Sequence, residues 1–167
     1  MVVVADTSPL NYLILTGHAD ILPQLYREIV IPITVLRELR HPKTPEAVSR
    51  WVESTPEWLV IEQSPLLTPD LDPQGELDPG EREAISIAFC RRPDCLLLMD
   101  ENKGRREAER HGIETTGTLG ILDTAAGLGL LDLRRALETL HRTNFHVSSR
   151  IVDRLLQADA ARAKARR

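Results

Sequence analysis

The 167-residue chain is poor in several things, and each scarcity removes a class of function. It has two cysteines, Cys90 and Cys95, and neither belongs to a spaced pair that would hold zinc or build a disulfide framework. The five histidines, His18, His41, His111, His141 and His146, are scattered, with no two at helical ligand spacing. That argues against a histidine-centred metal or nucleophile site. Aromatic residues are only 4% of the chain, too few to supply stacking platforms that would read nucleic-acid bases. No apolar run approaches the ~20 residues of a membrane span, and Val2-Val3-Val4-Ala5 is too short for a signal core and has no basic leader. Excess positive charge is missing too: 25 acids face 21 Lys and Arg, a formal net charge of −4. The chain is therefore not a protein held to DNA chiefly by excess charge, although an acidic metal site can sit beside a local basic rim. What is present, 42% hydrophobic and 28% charged residues, suits one soluble globular domain in a reducing cytoplasm. Its expected extent is residues 1–150, with 151–167 as a C-terminal helix and basic tail of the same domain.

Short, continuous apolar runs alternate with helical periodicity. Val2–Ala5, Ile29–Ile31, Trp58–Ile61, Cys95–Met99 and Ile113–Thr115 read as strands. The first and fourth are apolar throughout, as strands covered on both faces are. Thr7-Ser8-Pro9 predicts a hydroxyl cap with proline at the first helical position, ahead of Leu10, Leu13 and Ile14. A short helix is predicted after Asp20, a second after Pro32 carrying Val35, Leu36, Glu38 and Leu39, and a third over Ala47–Val52. Six of the eleven prolines fall between residues 42 and 73, so a mobile loop is expected over Pro65–Gly75. Asp78-Pro79 opens another helix, with Ala84, Ile85, Ala88 and Phe89 on its apolar face. Further helices are expected over Lys103–His111, from Ile121, over Leu133–Leu140 and over Ser149–Ala163, with fraying in the basic stretch at the end. Strands alternating with helices imply right-handed crossovers and a mostly parallel α/β sheet.

In such a sheet the usable crevice lies beyond the carboxyl ends of the strands, where strand order reverses. Asp6 and Asp100 each close a buried strand at that edge. Either alone is explained as a helix cap. Two carboxylates at the ends of neighbouring strands repel one another and lose hydration, and a divalent cation is the natural compensation. Glu81 lies three and four residues before Ala84 and Ile85, on the buried stripe at its helix N-terminus, with the helix dipole as the bland explanation. Glu83 is a competing ligand about 200° around the helix. Glu38 is a further candidate, with a solvated salt-bridge face beside Arg37 and Arg40 as its alternative. Glu101 stands as an additional ligand or as a surface residue.

Five pieces in order carry a resemblance: Val3-Val4-Ala5-Asp6-Thr7-Ser8-Pro9-Leu10; Ile31-Pro32 leading to Val35 and Glu38-Leu39; Leu77-Asp78-Pro79-Gly80-Glu81 with Glu83-Ala84-Ile85; Leu97-Leu98-Met99-Asp100 with Gly104-Arg105; and Thr116-Gly117-Thr118-Leu119-Gly120-Ile121-Leu122. Over most of its length the chain resembles the PIN-domain proteins, metal-dependent ribonucleases that include VapC-type toxins, and it looks like an uncharacterised prokaryotic branch of them. The resemblance implies a three-layer fold with a central, mostly parallel sheet flanked by helices. It implies a catalytic set of Asp6, Glu38, Glu81 and Asp100, of which Asp6, Glu81 and Asp100 hold Mg²⁺ or Mn²⁺, with Thr7 and Thr118 in support. It implies hydrolysis of RNA phosphodiesters, as the toxin of a toxin–antitoxin pair, with an antitoxin partner and a homodimer. The family pattern also leads to Lys103, Arg105 and Arg106 as candidates for the RNA backbone, with pairing to Glu107 and Glu109 as the alternative. Glu81 stands where many relatives have Asp, one methylene shorter.

Two other functions compete. A haloacid-type phosphatase also starts from a strand-end Asp, but requires a second Asp two residues on, where this chain has Ser8. A non-catalytic nucleic-acid or protein binding module on the same fold is the alternative that sequence leaves open.

Overall fold

A computed structural model describes residues 1–63 and 70–165. Five strands, β1 (Val2–Ala5), β2 (Ile29–Pro32), β3 (Leu59–Glu62), β4 (Cys95–Leu98) and β5 (Glu114–Thr116), form one sheet in the order β3-β2-β1-β4-β5. All four pairings are parallel, with Val4 opposite Val30 on one side of β1 and Val2–Ala5 opposite Cys95–Leu98 on the other. Strand order reverses between β1 and β4. The α/β fold with a parallel sheet is the architecture the alternating pattern implies.

The chain divides into two compact units, residues 1–118 and 119–167. The first holds the sheet together with α1 (Thr7–Leu15), α2 (Ile21–Tyr26), α3 (Ile33–Leu39), α4 (Glu46–Glu53), α5 (Pro79–Cys90) and α6 (Asn102–Arg110). Its core gathers Val4 and Val30 from the sheet with Leu97 and Met99, and Leu77, Ala84, Ile85, Ala88 and Ala108 from the segments around α5 and α6. Burial of this apolar set, non-directional and proportional to area, is what fixes the register. The second unit contains α8 (Leu133–His141), α9 (Ser149–Ala165) and all but the first residue of α7 (Thr118–Gly127). Arg162 of α9 holds the Asp123 carboxylate with both guanidinium Nη atoms, so α9 runs on to Ala165 rather than ending at Ala163.

Three local expectations are corrected. The cap of α1 is Asp6, not Thr7, so Thr7 and Ser8 occupy the first turn and Pro9 its third position, where no intrahelical donor is lost. Strand β5 starts at Glu114 rather than Ile113, because the Ile113 N–H is spent on the Ala108 carbonyl at 3.0 Å. That bond closes the end of α6 over Gly112, whose φ of +72° is the left-handed conformation such a stop requires. The predicted loop over Pro65–Gly75 falls partly outside the described residues. Its remainder, from Asp70, is a set of turns tied down by hydrogen bonds. Among the described residues no helix is long and apolar enough to cross a membrane.

Candidate metal centre

Asp6 follows β1, and its backbone N–H donates to the Leu98 carbonyl of β4 at 3.0 Å, which seats it at the switch between the two central strands. The residue is 4% exposed, and its Oδ1 is buried with no hydrogen-bond partner. Burial pushes this carboxyl up to about 8, the neighbouring Thr7 N–H pulling it partly back and the charges of Asp78, Glu81 and Glu38 adding repulsion. An unsatisfied buried carboxylate oxygen costs free energy unless something positive faces it.

Glu38, near the end of α3, is brought to the same place. The Thr7 hydroxyl donates to its Oε2 and the Gly80 N–H donates to its carboxylate. Burial raises this carboxyl above the ordinary range, and the Thr7 bond opposes that. Gly80 has a steric reason to be glycine: a Cβ there would stand 2.7 and 2.8 Å from the two Glu38 carboxylate oxygens. The salt-bridge alternative for Glu38 is not what the structure shows.

The third carboxylate of this cluster is Asp78. One carboxylate oxygen each from Asp6, Glu38 and Asp78 lie within 4.8 Å of one another, a grouping that fits a single cation. Asp78 is also the cap of the helix that Asp78-Pro79 opens: Asp78 Oδ1 accepts from the Glu81 N–H at 2.8 Å, and Glu81 Oε2 accepts from the Asp78 N–H at 2.9 Å. The legible signal was its place directly before the Pro79-Gly80-Glu81 turn at the carboxyl edge of the sheet.

Glu81 and Asp100 stand close by but outside that grouping. Glu81 is buried, commits one oxygen to the capping box, and is raised mainly by burial, with its charge felt by Asp6. Asp100, following β4, is clasped by Thr118: its Oδ1 accepts from the Thr118 N–H and its Oδ2 from the Thr118 hydroxyl, both at 2.7 Å. Burial still raises its carboxyl, against those two bonds and the Arg105 charge. Gly117 makes the clasp feasible, since a Cβ would lie 2.7 Å from Asp100 Oδ1. Glu83 has a buried Oε2 without a partner and its charge contributes to raising Glu38, while Glu101 is exposed and its charge contributes to raising Glu81 and Asp100. Tyr12 of α1, passed over in the sequence, is near enough to Asp100 for that charge to raise its hydroxyl, after burial.

The basic candidates separate. Arg105 is half-buried on the Asp100 side, its Nη1 3.7 Å from the place where a Gly117 Cβ would stand. Lys103 pairs with Glu76 at 3.4 Å, and with exposed Arg106 it lines a cleft bounded by Asp72, Gln74 and Leu77. Glu107 pairs with Arg110 and His111.

Several features of the cluster fit a hard divalent cation: an all-oxygen donor set, an orphaned buried oxygen, and mutual repulsion among the carboxylates. No curated protein and no solved structure matches the chain. A family model described as a PIN domain matches residues 2–160, nearly the whole length. The chain belongs to the PIN-domain family.

Proposed function

We propose that this protein is a Mg²⁺- or Mn²⁺-dependent endoribonuclease. The observation that carries the reading is Asp6 Oδ1, buried and without a partner, with Glu38 and Asp78 carboxylate oxygens within 4.8 Å of the Asp6 carboxylate. Asp6, Glu38 and Asp78 would hold the cation, with Glu81 and Asp100 flanking it. When bound, such a cation supplies a polarised phosphate oxygen and a water acidified toward hydroxide.

The chain's own residues do the rest. Thr7 and the Gly80 N–H orient Glu38, so its carboxylate is set before substrate arrives. Thr118 fixes Asp100 through both oxygens, which makes it a rigid wall of the crevice. Arg105, beside that wall, is placed to take a non-bridging phosphate oxygen, and Lys103 and Arg106 to take flanking phosphates of the strand. A role as the toxin of a toxin–antitoxin pair, silenced by a partner covering the acidic crevice, a cytoplasmic location and a homodimeric state complete the proposal. They rest on the family resemblance.

The deciding experiment is cleavage of generic single-stranded RNA in Mg²⁺, in Mn²⁺ and in EDTA, for the wild type and Asp6→Asn. Cleavage that needs the metal and is lost in the variant supports the reading. Metal-independent RNA binding without cleavage would replace it with the non-catalytic binding module.

A further inference from the structure

Asp78 is exposed and lies at the end of an irregular segment, a poor place for a ligand whose oxygen must stand within a few tenths of an ångström of a cation. From the α5 side the capping box holds it. From the other side it is reached through residues 70–77, and that segment is tied at Asp70, Asp72, Gly75, Glu76 and Leu77. The Asp72 side chain is 4% exposed and accepts from two successive backbone donors, Glu76 N–H at 2.7 Å and Leu77 N–H at 3.1 Å. The Asp72 N–H in turn donates to Glu107 Oε1 on α6 at 2.8 Å. Glu107 is itself fixed by Arg110, which donates to both its oxygens at 3.0 and 2.7 Å, and the same Arg110 reaches the Asp70 carbonyl. Leu77, the residue before Asp78, is buried in the core with Ala84, Met99 and Ala108.

The backbone of this segment would not hold its shape unaided. Asp70 at φ +63°, Asp72 at φ +54° and Gly75 at φ +66° are all left-handed, and two of the three carry a Cβ. A residue with a Cβ is disfavoured in that region, Asp less than most, and it stays there when its surroundings hold it. Here the surroundings are the carboxylates of Asp72 and Glu107.

We propose that Asp72 and Glu107 are positioning residues for Asp78: by clamping residues 70–77 onto α6 they set the third carboxylate of the cluster in place before the cation binds. The proposal rests on the reading that Asp78 is a ligand. The physical reason is preorganisation. A ligand that must be ordered upon binding lowers affinity by the cost of ordering it, whereas one held by the fold has met that cost already. Neither Asp72 nor Glu107 touches the metal site. Their effect is transmitted by the backbone from Asp72 through Glu76 and Leu77 to Asp78.

The test is calorimetric Mn²⁺ binding to the full-length, metal-free protein, alongside its Tm. Asp78→Asn is expected to weaken Mn²⁺ tenfold or more, and Asp72→Ala and Glu107→Ala by about three- to tenfold, less than the roughly 10–100-fold of residues that hydrogen-bond a ligand directly, because these two act through the backbone. Glu107→Gln keeps an acceptor for the Asp72 N–H and should restore affinity to within about twofold of wild type. A merely structural role would lower the Tm of Glu107→Ala and leave its Mn²⁺ affinity unchanged; that result overturns the proposal while Asp78 stays a ligand. Unchanged affinity in Asp78→Asn would overturn the ligand reading itself, and the positioning role with it. If Asp72→Ala does not fold, the Glu107 pair decides alone.

Discussion

Two halves of one crevice treat their carboxylates in opposite ways. Asp6 and Asp100 each follow a central strand, and those strands are paired, yet both Asp100 oxygens are hydrogen-bonded by Thr118 whereas Asp6 Oδ1 has no partner. The Asp100 half is satisfied in the bare protein and the Asp6 half is not. Glu38 lies between these extremes, oriented by Thr7 and Gly80 but still raised by burial and by its acidic neighbours. The difference separates two jobs that sequence cannot tell apart, because a strand-end Asp looks the same whether it awaits a cation or braces a turn. Frustration concentrated on one side is the mark of a binding site, and satisfaction on the other the mark of its wall.

The comparison breaks most sharply under amide substitution. Asp6→Asn should abolish RNA cleavage, by more than a hundredfold, and above pH about 8 raise the Tm of the metal-free protein, since there it removes an unpaired buried charge. Asp100→Asn should also reduce cleavage but lower the Tm by the loss of about 1 kcal/mol, because an amide can accept only one of the two Thr118 bonds. Equal Tm changes in the two variants would erase the distinction drawn above. Next in size is steric: Gly80→Ala places a methyl group on the Glu38 carboxylate and should weaken Mn²⁺ by tenfold or more with little loss of folding, as read by calorimetry and circular dichroism.

A pH effect follows from the raised Asp6 carboxyl. The folded protein binds a proton up to about 8 that the unfolded chain releases near its ordinary value of 3.8, so this group's stabilising contribution is full below pH about 4 and disappears as pH rises through about 8. Metal-free wild type should therefore lose Tm between those limits more steeply than Asp6→Asn, and a parallel slope would show that the carboxyl is not held up.

Smaller still is the effect on RNA binding. Replacing Lys103, Arg105 and Arg106 together should flatten the salt dependence of binding in Ca²⁺ by roughly 0.7 per lost phosphate contact, and leave metal affinity nearly unchanged. An unaltered slope would move the RNA path off this rim. The smallest effect is at acid pH. Glu107 is held down to about 2, first by its Arg110 hydrogen bond, so it stabilises the fold above the ordinary glutamate range and that contribution fades as pH falls toward about 2. Glu107→Gln should show a shallower acid limb in Tm against pH.

Much of this was legible beforehand, and the exceptions share a cause. Strand runs such as Val2–Ala5 and Cys95–Leu98 declare themselves because burial on both faces demands an unbroken apolar series. The edge position of Asp6 and Asp100 follows from where those runs end. Asp78 is legible only as a cap, because Asp-Pro at a helix start is explained fully by local chemistry, and its place in the carboxylate cluster depends on Glu38, forty residues earlier, arriving near it. The cap of α1 was misplaced by one residue because hydroxyl and carboxylate compete for that position on nearly equal terms. Glu81 and Glu83 were weighed by helical angle, yet the angle says nothing of the capping box that engages Glu81 or of the Glu38 charge near Glu83.

By itself the sequence determined the alternation of strand and helix, the two carboxylates at the sheet edge and the glycines at 80 and 117, since these depend on burial period, chain direction and backbone chemistry that act over a few residues. Only the tertiary structure decided which acids converge, that Thr118 satisfies Asp100 while Asp6 keeps a bare oxygen, and that Asp72 and Glu107 tie down the approach to Asp78. Those outcomes are set by contacts between residues 18 to 72 positions apart, and convergence over such distances is fixed by how helices pack on the sheet, which no local pattern encodes.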